Sequence, residues 1–266
     1  MTSLEYGRFC DEVVNQTGLL VATLEGADLS ATVPTTPDWA LSDLVRHVGG
    51  NLRSLETAVR TGEAVADPER QIPGHGGPPG DDPADLFAWL SEAAGRCSAT
   101  LGEAGPEVEA QLWTIRWPTA AWARRAAHDV LVHRADAAGT VGAPYTVAPD
   151  LAADALDEFL ELVSSPEVAG AAPDAEAGDP GPSGTIHLHA TDTGTSPEVP
   201  SEWLVELASP TFTWRHGHEK ATVAVRGPLA DVLRVACRRL PPDADGVEVL
   251  GDRAVLDAWL ERVVLQ

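Results

Sequence analysis

The sequence predicts an α-helical bundle followed by a small α+β domain with a mostly antiparallel sheet. Two observations support this. Apolar residues recur at helical spacing through the first part of the chain, then at a spacing of two beyond residue 185. Between them lies Ser164 to Gly184, rich in Pro, Gly, Ala, Asp and Glu and nearly devoid of bulky apolar side chains, a composition that cannot bury a core. The expected organisation is a bundle over 1–164, a linker over 165–184 and an α+β domain over 185–266.

The elements follow in order. Phe9, Val13, Leu20 and Leu24 place a first helix over about residues 4–25. Val33-Pro-Thr-Thr-Pro-Asp-Trp39 is a Pro-rich entry loop. A second helix carries Leu44, His47, Val48, Asn51, Leu55 and Val59 on one stripe, so His47 points the same way as the core aliphatics. Residues 62–82 read as a long loop. Asp82-Pro-Ala-Asp85 is an N-cap, a proline at the first helical position and an acidic first turn. It opens a third helix with Leu86, Leu90, Ala94, Cys97 and Leu101 inward.

A fourth helix runs from Pro118 to Gly139, which is expected as its C′ residue. A fifth, from about Pro149 to Val163, is expected outside the bundle or leading into the linker. After the linker come strands in Thr185–Ala190, Glu202–Leu207, Phe212–Arg215 and Lys220–Val225. A helix over Leu229–Leu240, a strand at Val247–Leu250 and a helix over Arg253–Leu265 complete the chain.

Composition excludes several partners. The formal net charge of −23 repels polyanions, and no basic stripe exists to release counterions from nucleic acid. No apolar run reaches the roughly 18 to 20 residues that span a bilayer, and the N-terminus lacks the basic and apolar regions of a secretory signal. Cys10, Cys97 and Cys237 form an odd set without CxxC spacing, as expected of reduced thiols in a cytoplasmic protein. Of 18 basic residues only Lys220 is lysine, a bias that reflects a GC-rich genome and nothing of the chemistry.

The fourth helix holds the most informative residues. Asp129 and His133, four apart, share a helix face, and Asp136 falls on it too. Buried charges are tolerated when paired or when they coordinate a metal. Zinc and similar divalent ions accept imidazole nitrogen and carboxylate oxygen, and a catalytic site uses three such ligands and an open position. With two ligands on this helix, His47 is the best third, giving His47, Asp129 and His133. Asp136 suits the orienting of an imidazole better than a fourth ligand. In isolation, His47 also reads as a hydrogen-bonded core histidine, and Asp129 as a partner of Arg125. His128 lies about 140° round the helix from His133, away from this site. Trp39, Trp113 and Trp117, beside helix starts, are structural or wall the site's mouth. The pairs His187-X-His189 and His216-X-His218 occupy single strand faces, and surface or interface histidines are the preferred reading there over a second metal site.

The run Val33-Pro-Thr-Thr-Pro-Asp-Trp through Leu44-Val-Arg-His47-Val-Gly resembles the opening of the mycothiol-dependent maleylpyruvate isomerase family, whose N-terminal part is a DinB-like metal-binding four-helix bundle. His128-Asp-Val-Leu-Val-His-Arg-Ala-Asp136 is similar to its HExxxHxxD helix. His187-Leu-His-Ala-Thr-Asp192, Glu202-Trp, Arg226-Gly-Pro-Leu-Ala-Asp and Leu250-Gly-Asp resemble its C-terminal domain. The resemblance spans nearly the whole chain in order.

That resemblance implies a divalent metal, usually zinc, on His47, Asp129 and His133. It also implies mycothiol, the low-molecular-weight thiol of actinobacteria, as cofactor. A zinc-coordinated thiol is deprotonated, whereas a free thiol near pKa 8.5 is only a few per cent thiolate at neutral pH. The thiolate adds to the cis double bond of a maleylpyruvate-like substrate, the new single bond rotates, and the thiol leaves. In S-transferase relatives the adduct is kept. Arg239 falls where the family usually has an arginine and is expected to bind an anionic substrate. Two departures stand out. Asp129 replaces the family's glutamate and sets the carboxylate roughly 1 to 1.5 Å further back by bond geometry, and Ala40 replaces a threonine that caps the second helix. Small molecules are the expected partners of a monomer or small homo-oligomer. A catalytically silent binding or regulatory member of the fold and a thiol-independent metal hydrolase are the alternatives.

Overall fold

The computed structural model describes residues 4–165, 183–193, 198–208 and 211–263, which divide into two compact units, Leu4–Tyr145 and the part from Thr146 onward. Most of the expected linker, residues 166–182, and residues 264–266 lie outside the described residues.

In the first unit, α1 (Tyr6–Leu24), α2 (Leu41–Thr61), α4 (Pro83–Ala104) and α5 (Thr119–Val141) form the expected four-helix bundle. α1 packs on α4 and α5, and α2 on the same two. The predicted stripes are the core: Phe9, Val13, Leu20, Leu44, Val48, Leu55, Leu86, Leu90, Cys97 and Val130 are buried together. α2 approaches α4 closely because position 49 has no side chain; a Cβ there would lie 2.1 Å from the Trp89 ring. Asp82 caps α4 by accepting from the amides of Ala84 and Asp85, as its sequence context predicts. At the start of α2, Ala40 offers no acceptor of its own, but Asp43 accepts from the Ala40 amide at 2.9 Å, half of a capping box.

Loop 62–82 contains a single turn of helix, α3 (Pro68–Gln71). Arg46 on α2 holds its far end, donating to the carbonyls of Gly76, Pro78 and Gly80 and to the Asp81 carboxylate. Two elements depart from expectation. A hairpin of β1 (Glu109–Leu112) and β2 (Ile115–Pro118) precedes α5, with Trp113 in its turn at φ 50°. Helix α5 also runs past Gly139 and ends at Gly142, whose φ of 67° and bond to the Ala138 carbonyl make it the left-handed cap. Thr140 Oγ1 donates to the Asp136 carbonyl and keeps the last turn helical.

The second unit begins earlier than 185. Helix α6 (Pro149–Ser164), expected within the 1–164 span but outside the bundle or leading into the linker, belongs here. Its Asp157 accepts from Trp203 Nε1 at 2.6 Å and contacts His216 Nε2 at 2.9 Å, both on the sheet. The sheet has the order β5-β4-β3-β6-β7, from β3 (Gly184–Ala190), β4 (Glu202–Ala208), β5 (Thr211–His216), β6 (Val223–Gly227) and β7 (Glu248–Gly251). Every pairing is antiparallel except β3 with β6. The register puts Ile186, Leu188, Trp203, Val205, Val223 and Val225 on one buried face. Helices α6 and α8 (Arg253–Arg262) meet that face, where Trp259 of α8 packs edge-on against Phe159 and Phe212. Helix α7 (Leu229–Ala236) packs on α6, β3 and β6 and stops short of the expected Leu240. The opposite face presents His187, His189, Glu202, Glu206, Arg215 and Arg226.

Candidate metal centre in the bundle

His47 on α2 and Asp129 and His133 on α5 come together, with one donor atom from each within 4.8 Å of the others. His133 Nε2 lies 3.9 Å from Asp129 Oδ1, and the two imidazole rings meet edge-on at 4.8 Å between centroids. His133 is fixed from behind: the fully buried Asp136 carboxylate accepts from its Nδ1 at 3.0 Å, which leaves Nε2 to face His47 and Asp129. Thr35, in the Pro-rich loop, donates to the other oxygen of Asp136. Asp136 thus holds the orienting position its spacing predicts.

The charges suit a cation. Burial, reinforced by repulsion from His133, lowers the His47 pKa to about 4 despite Asp129 and Asp136, so this imidazole is neutral at neutral pH. Burial alone would raise Asp129, but His133, Arg125, His47 and the Asn51 amide outweigh it and hold the carboxyl at about 2. Arg125 Nη2 lies 3.2 Å from Asp129 Oδ1, so the ion-pair reading of Asp129 holds alongside the clustering with the histidines.

Two neighbours complete the arrangement. Trp39 lies over both imidazoles, 4.7 Å from His47 and 6.3 Å from His133 between ring centroids. Asn51, on the α2 stripe, donates from Nδ2 to His47 Nε2 at 3.1 Å and to Asp129 Oδ2 at 3.3 Å, a role its place on that stripe does not reveal. The signal for it was a polar residue on an apolar stripe four positions after His47. Of the other tryptophans named above, Trp113 is exposed in the hairpin turn and Trp117 packs on Trp122. His128 turns away, its ring edge-on to Phe9 of α1.

Arg239 belongs to the second unit. It follows α7 just after Arg238, which has φ 60°, and its Nη1 donates to the Cys237 carbonyl at 2.7 Å. A recess of about 340 Å³ in the bundle is lined by Arg53, Glu56, Arg60, Gln71 and Arg96, with none of the triad among its walls. Glu56 there is already bonded to Arg60 and Arg96.

The donor chemistry fits a divalent ion of the zinc class, with two imidazoles, one ionised carboxylate and a carboxylate orienting one imidazole. Cys10, Cys97 and Cys237 are buried and none is in a disulfide, and burial raises the pKa of Cys10 and Cys97. No described helix is long and apolar enough to cross a membrane.

Comparison with known proteins adds the family. Residues 10–138 match the model of the mycothiol maleylpyruvate isomerase N-terminal domain, and residues 150–258 match the MDMPI C-terminal domain of the same family. No curated protein matched the sequence. Among solved structures, the chain is similar to the crystal structure of the mycothiol-dependent maleylpyruvate isomerase, with a TM-score of 0.59, and to that of a histidine-to-alanine mutant, with 0.58. Each is 19% identical and covers 94% of this chain and 95% of the other, which is a likeness of fold. With both family domains matched in order along its length, the chain belongs to the mycothiol maleylpyruvate isomerase family.

Proposed function

We propose that the protein is a mycothiol-dependent enzyme that isomerises a maleylpyruvate-like cis-enoyl substrate, with His47, Asp129 and His133 as ligands of a divalent metal, most simply zinc. The observation that carries this reading is the convergence of those three donors with Asp136 seated behind His133. When bound, such an ion would supply a Lewis acid that holds the mycothiol sulfur as thiolate at neutral pH.

The chain's own residues prepare the site. Burial keeps His47 neutral and able to donate a lone pair. Asp136 fixes the His133 tautomer with the proton on Nδ1. Trp39 packs against both imidazoles. All three cysteines are buried, which supports a nucleophilic sulfur supplied by the cofactor. When bound, mycothiol would supply a thiolate for reversible addition to the cis double bond, chemistry that allows cis-to-trans isomerisation without net consumption of the thiol. Arg239 keeps, as a proposal, the role of pairing with a substrate carboxylate. Thiol transfer to another electrophile would use the same residues and differs only in whether the C–S bond is kept.

The test is calorimetry and turnover. Zinc-loaded protein should bind mycothiol with release of about one proton and convert maleylpyruvate only when mycothiol is present. His133→Ala should lose most of the zinc and the turnover. Arg239→Ala should raise KM for an anionic substrate with zinc content unchanged. If millimolar mycothiol does not bind the zinc-loaded protein, the reading fails and a water-activating hydrolase or a silent binding protein replaces it.

A further inference from the structure

The polar face of the C-terminal sheet carries a second convergence of donor groups. His187 and His189, two apart on β3, project from one face, and the register sets Glu202 of β4 directly opposite His189. His187 Nε2 lies 3.7 Å from Glu202 Oε2, and His189 Nε2 lies 3.6 Å from Glu202 Oε1. One donor atom from each of the three lies within 4.8 Å of the others. His218, two residues beyond β5, reaches the same carboxylate, with Nδ1 2.8 Å from Glu202 Oε2. Its backbone is set by the Gly217 amide donating to the Glu202 carbonyl.

The two β3 histidines each lie at close to ligand spacing from one of the two Glu202 oxygens. Ligand bonds of about 2.0 to 2.1 Å place donor atoms roughly 3.4 Å apart. Two of the observed spacings are within a few tenths of an ångström of that, and His218, largely exposed, is free to swing its ring outward.

A second observation concerns His187 alone. The residue is only 6% exposed, and its Nε2, aimed at Glu202, has no hydrogen-bond partner among the described residues. Burying an unsatisfied imidazole nitrogen is costly, and a native protein has a reason for it. Burial lowers the pKa of His187, which favours the neutral form that binds metals. Surface or interface histidines, the reading preferred from sequence, do not account for a buried nitrogen whose nearest polar neighbour, Glu202, stays beyond hydrogen-bond distance.

We propose that His187, His189, Glu202 and His218 form a second metal site, closed by four protein ligands, which takes a divalent transition ion such as zinc and clamps β3, β4 and the segment after β5 together. Three nitrogens and one oxygen suit zinc, and four protein ligands leave no open coordination position, the pattern of a structural site. The ion therefore belongs to the stability of the sheet and not to turnover. This site is independent of the bundle's donors, all of which lie in the first unit.

The experiment measures zinc per chain in the full-length protein by elemental analysis and by calorimetric titration with zinc chloride. Wild type and His189→Gln/His218→Ala are compared, each alone and in a His47→Ala/His133→Ala background. His189 and His218 are partly or largely exposed, so their replacement should leave the circular dichroism spectrum unchanged. The expected result is that His189→Gln/His218→Ala removes one zinc per chain from whichever background it is placed in. It should also abolish the zinc-dependent rise in melting temperature that remains in the His47→Ala/His133→Ala protein. Should the bundle variant not fold, the comparison of wild type with His189→Gln/His218→Ala decides alone. Equal zinc content in those two proteins overturns the proposal, whether or not the bundle binds metal.

Discussion

Replacing Asp136 tests how the bundle's donor set is held. The carboxylate is fully buried, with one oxygen accepting from His133 Nδ1 at 3.0 Å and the other from Thr35. Asp136→Asn preserves the shape. The amide oxygen can still accept from Nδ1, and the Thr35 hydroxyl can turn to accept from the new NH2 group. What disappears is the charge, and a charge-assisted hydrogen bond is about twice as strong as a neutral one. His133 becomes a weaker base, and loss of such an orienting partner lowers metal affinity by about 10 to 100-fold, or about 1.4 to 2.7 kcal/mol at 1.36 kcal/mol per tenfold. Because both hydrogen bonds survive, the asparagine variant should fall near the tenfold end. Asp136→Ala leaves Nδ1 and the Thr35 hydroxyl without this acceptor. It should reach the hundredfold end and lose about 1 to 3 kcal/mol of stability for the buried His133 nitrogen left unpaired, the exposed Thr35 hydroxyl being free to turn to water. Zinc affinity measured by chelator competition, with a denaturant melt on the same samples, separates the two effects. If both variants bind zinc within threefold of wild type while folded, Asp136 does not act through His133 and the proposed ligand set is wrong.

Three further outcomes are expected. Asp129→Glu should bind zinc as tightly as wild type or more so, because the longer side chain reaches further from α5; a tenfold loss would show that the site is built around aspartate. Denatured protein without reductant should titrate three thiols while the native protein reacts slowly with a thiol reagent, given that all three cysteines are buried. Rapid modification of one of them in the native state would contradict this. Gly49→Ala should destabilise the bundle by about 1 to 3 kcal/mol or more in urea melts, since its Cβ would collide with the Trp89 ring on α4; a neutral effect would mean that the helices part easily.

Much of this was legible in the chain because burial leaves a periodic trace. The stripes on α1, α2 and α4 and the Asp82-Pro83 start are local signals, and each appears where its spacing puts it. An apolar stripe reports that a helix face is covered but not what covers it, so the sequence leaves α6 outside the bundle or leading into the linker, and only the structure shows that its Asp157 serves Trp203 and His216. The β1–β2 hairpin was missed because four-residue strands are too short to establish a period. Gly139 and Gly142 offered two equivalent stops for α5, and only the left-handed backbone at Gly142 distinguishes them. At the candidate site, Asp129, His133 and Asp136 share a helix and could be aligned by counting. The contacts of Asn51, Thr35 and Trp39 depend on how α2 and the preceding loop lie against α5. Likewise, the pair on β3 gains meaning only from the strand register that brings Glu202 opposite His189.

The placement of Trp39 gives the molecule a built-in optical gauge. Indole emission is quenched by a neighbouring imidazolium through electron transfer, and it shifts when nearby polar groups are immobilised. Trp39 sits over both His47 and His133, so its emission should respond to protonation of His47 and to whatever binds the imidazoles. Seven other tryptophans contribute background, but the difference between wild type and Trp39→Phe isolates the one that matters. Rates of ion and thiol arrival could then be followed by stopped-flow mixing in unlabelled protein.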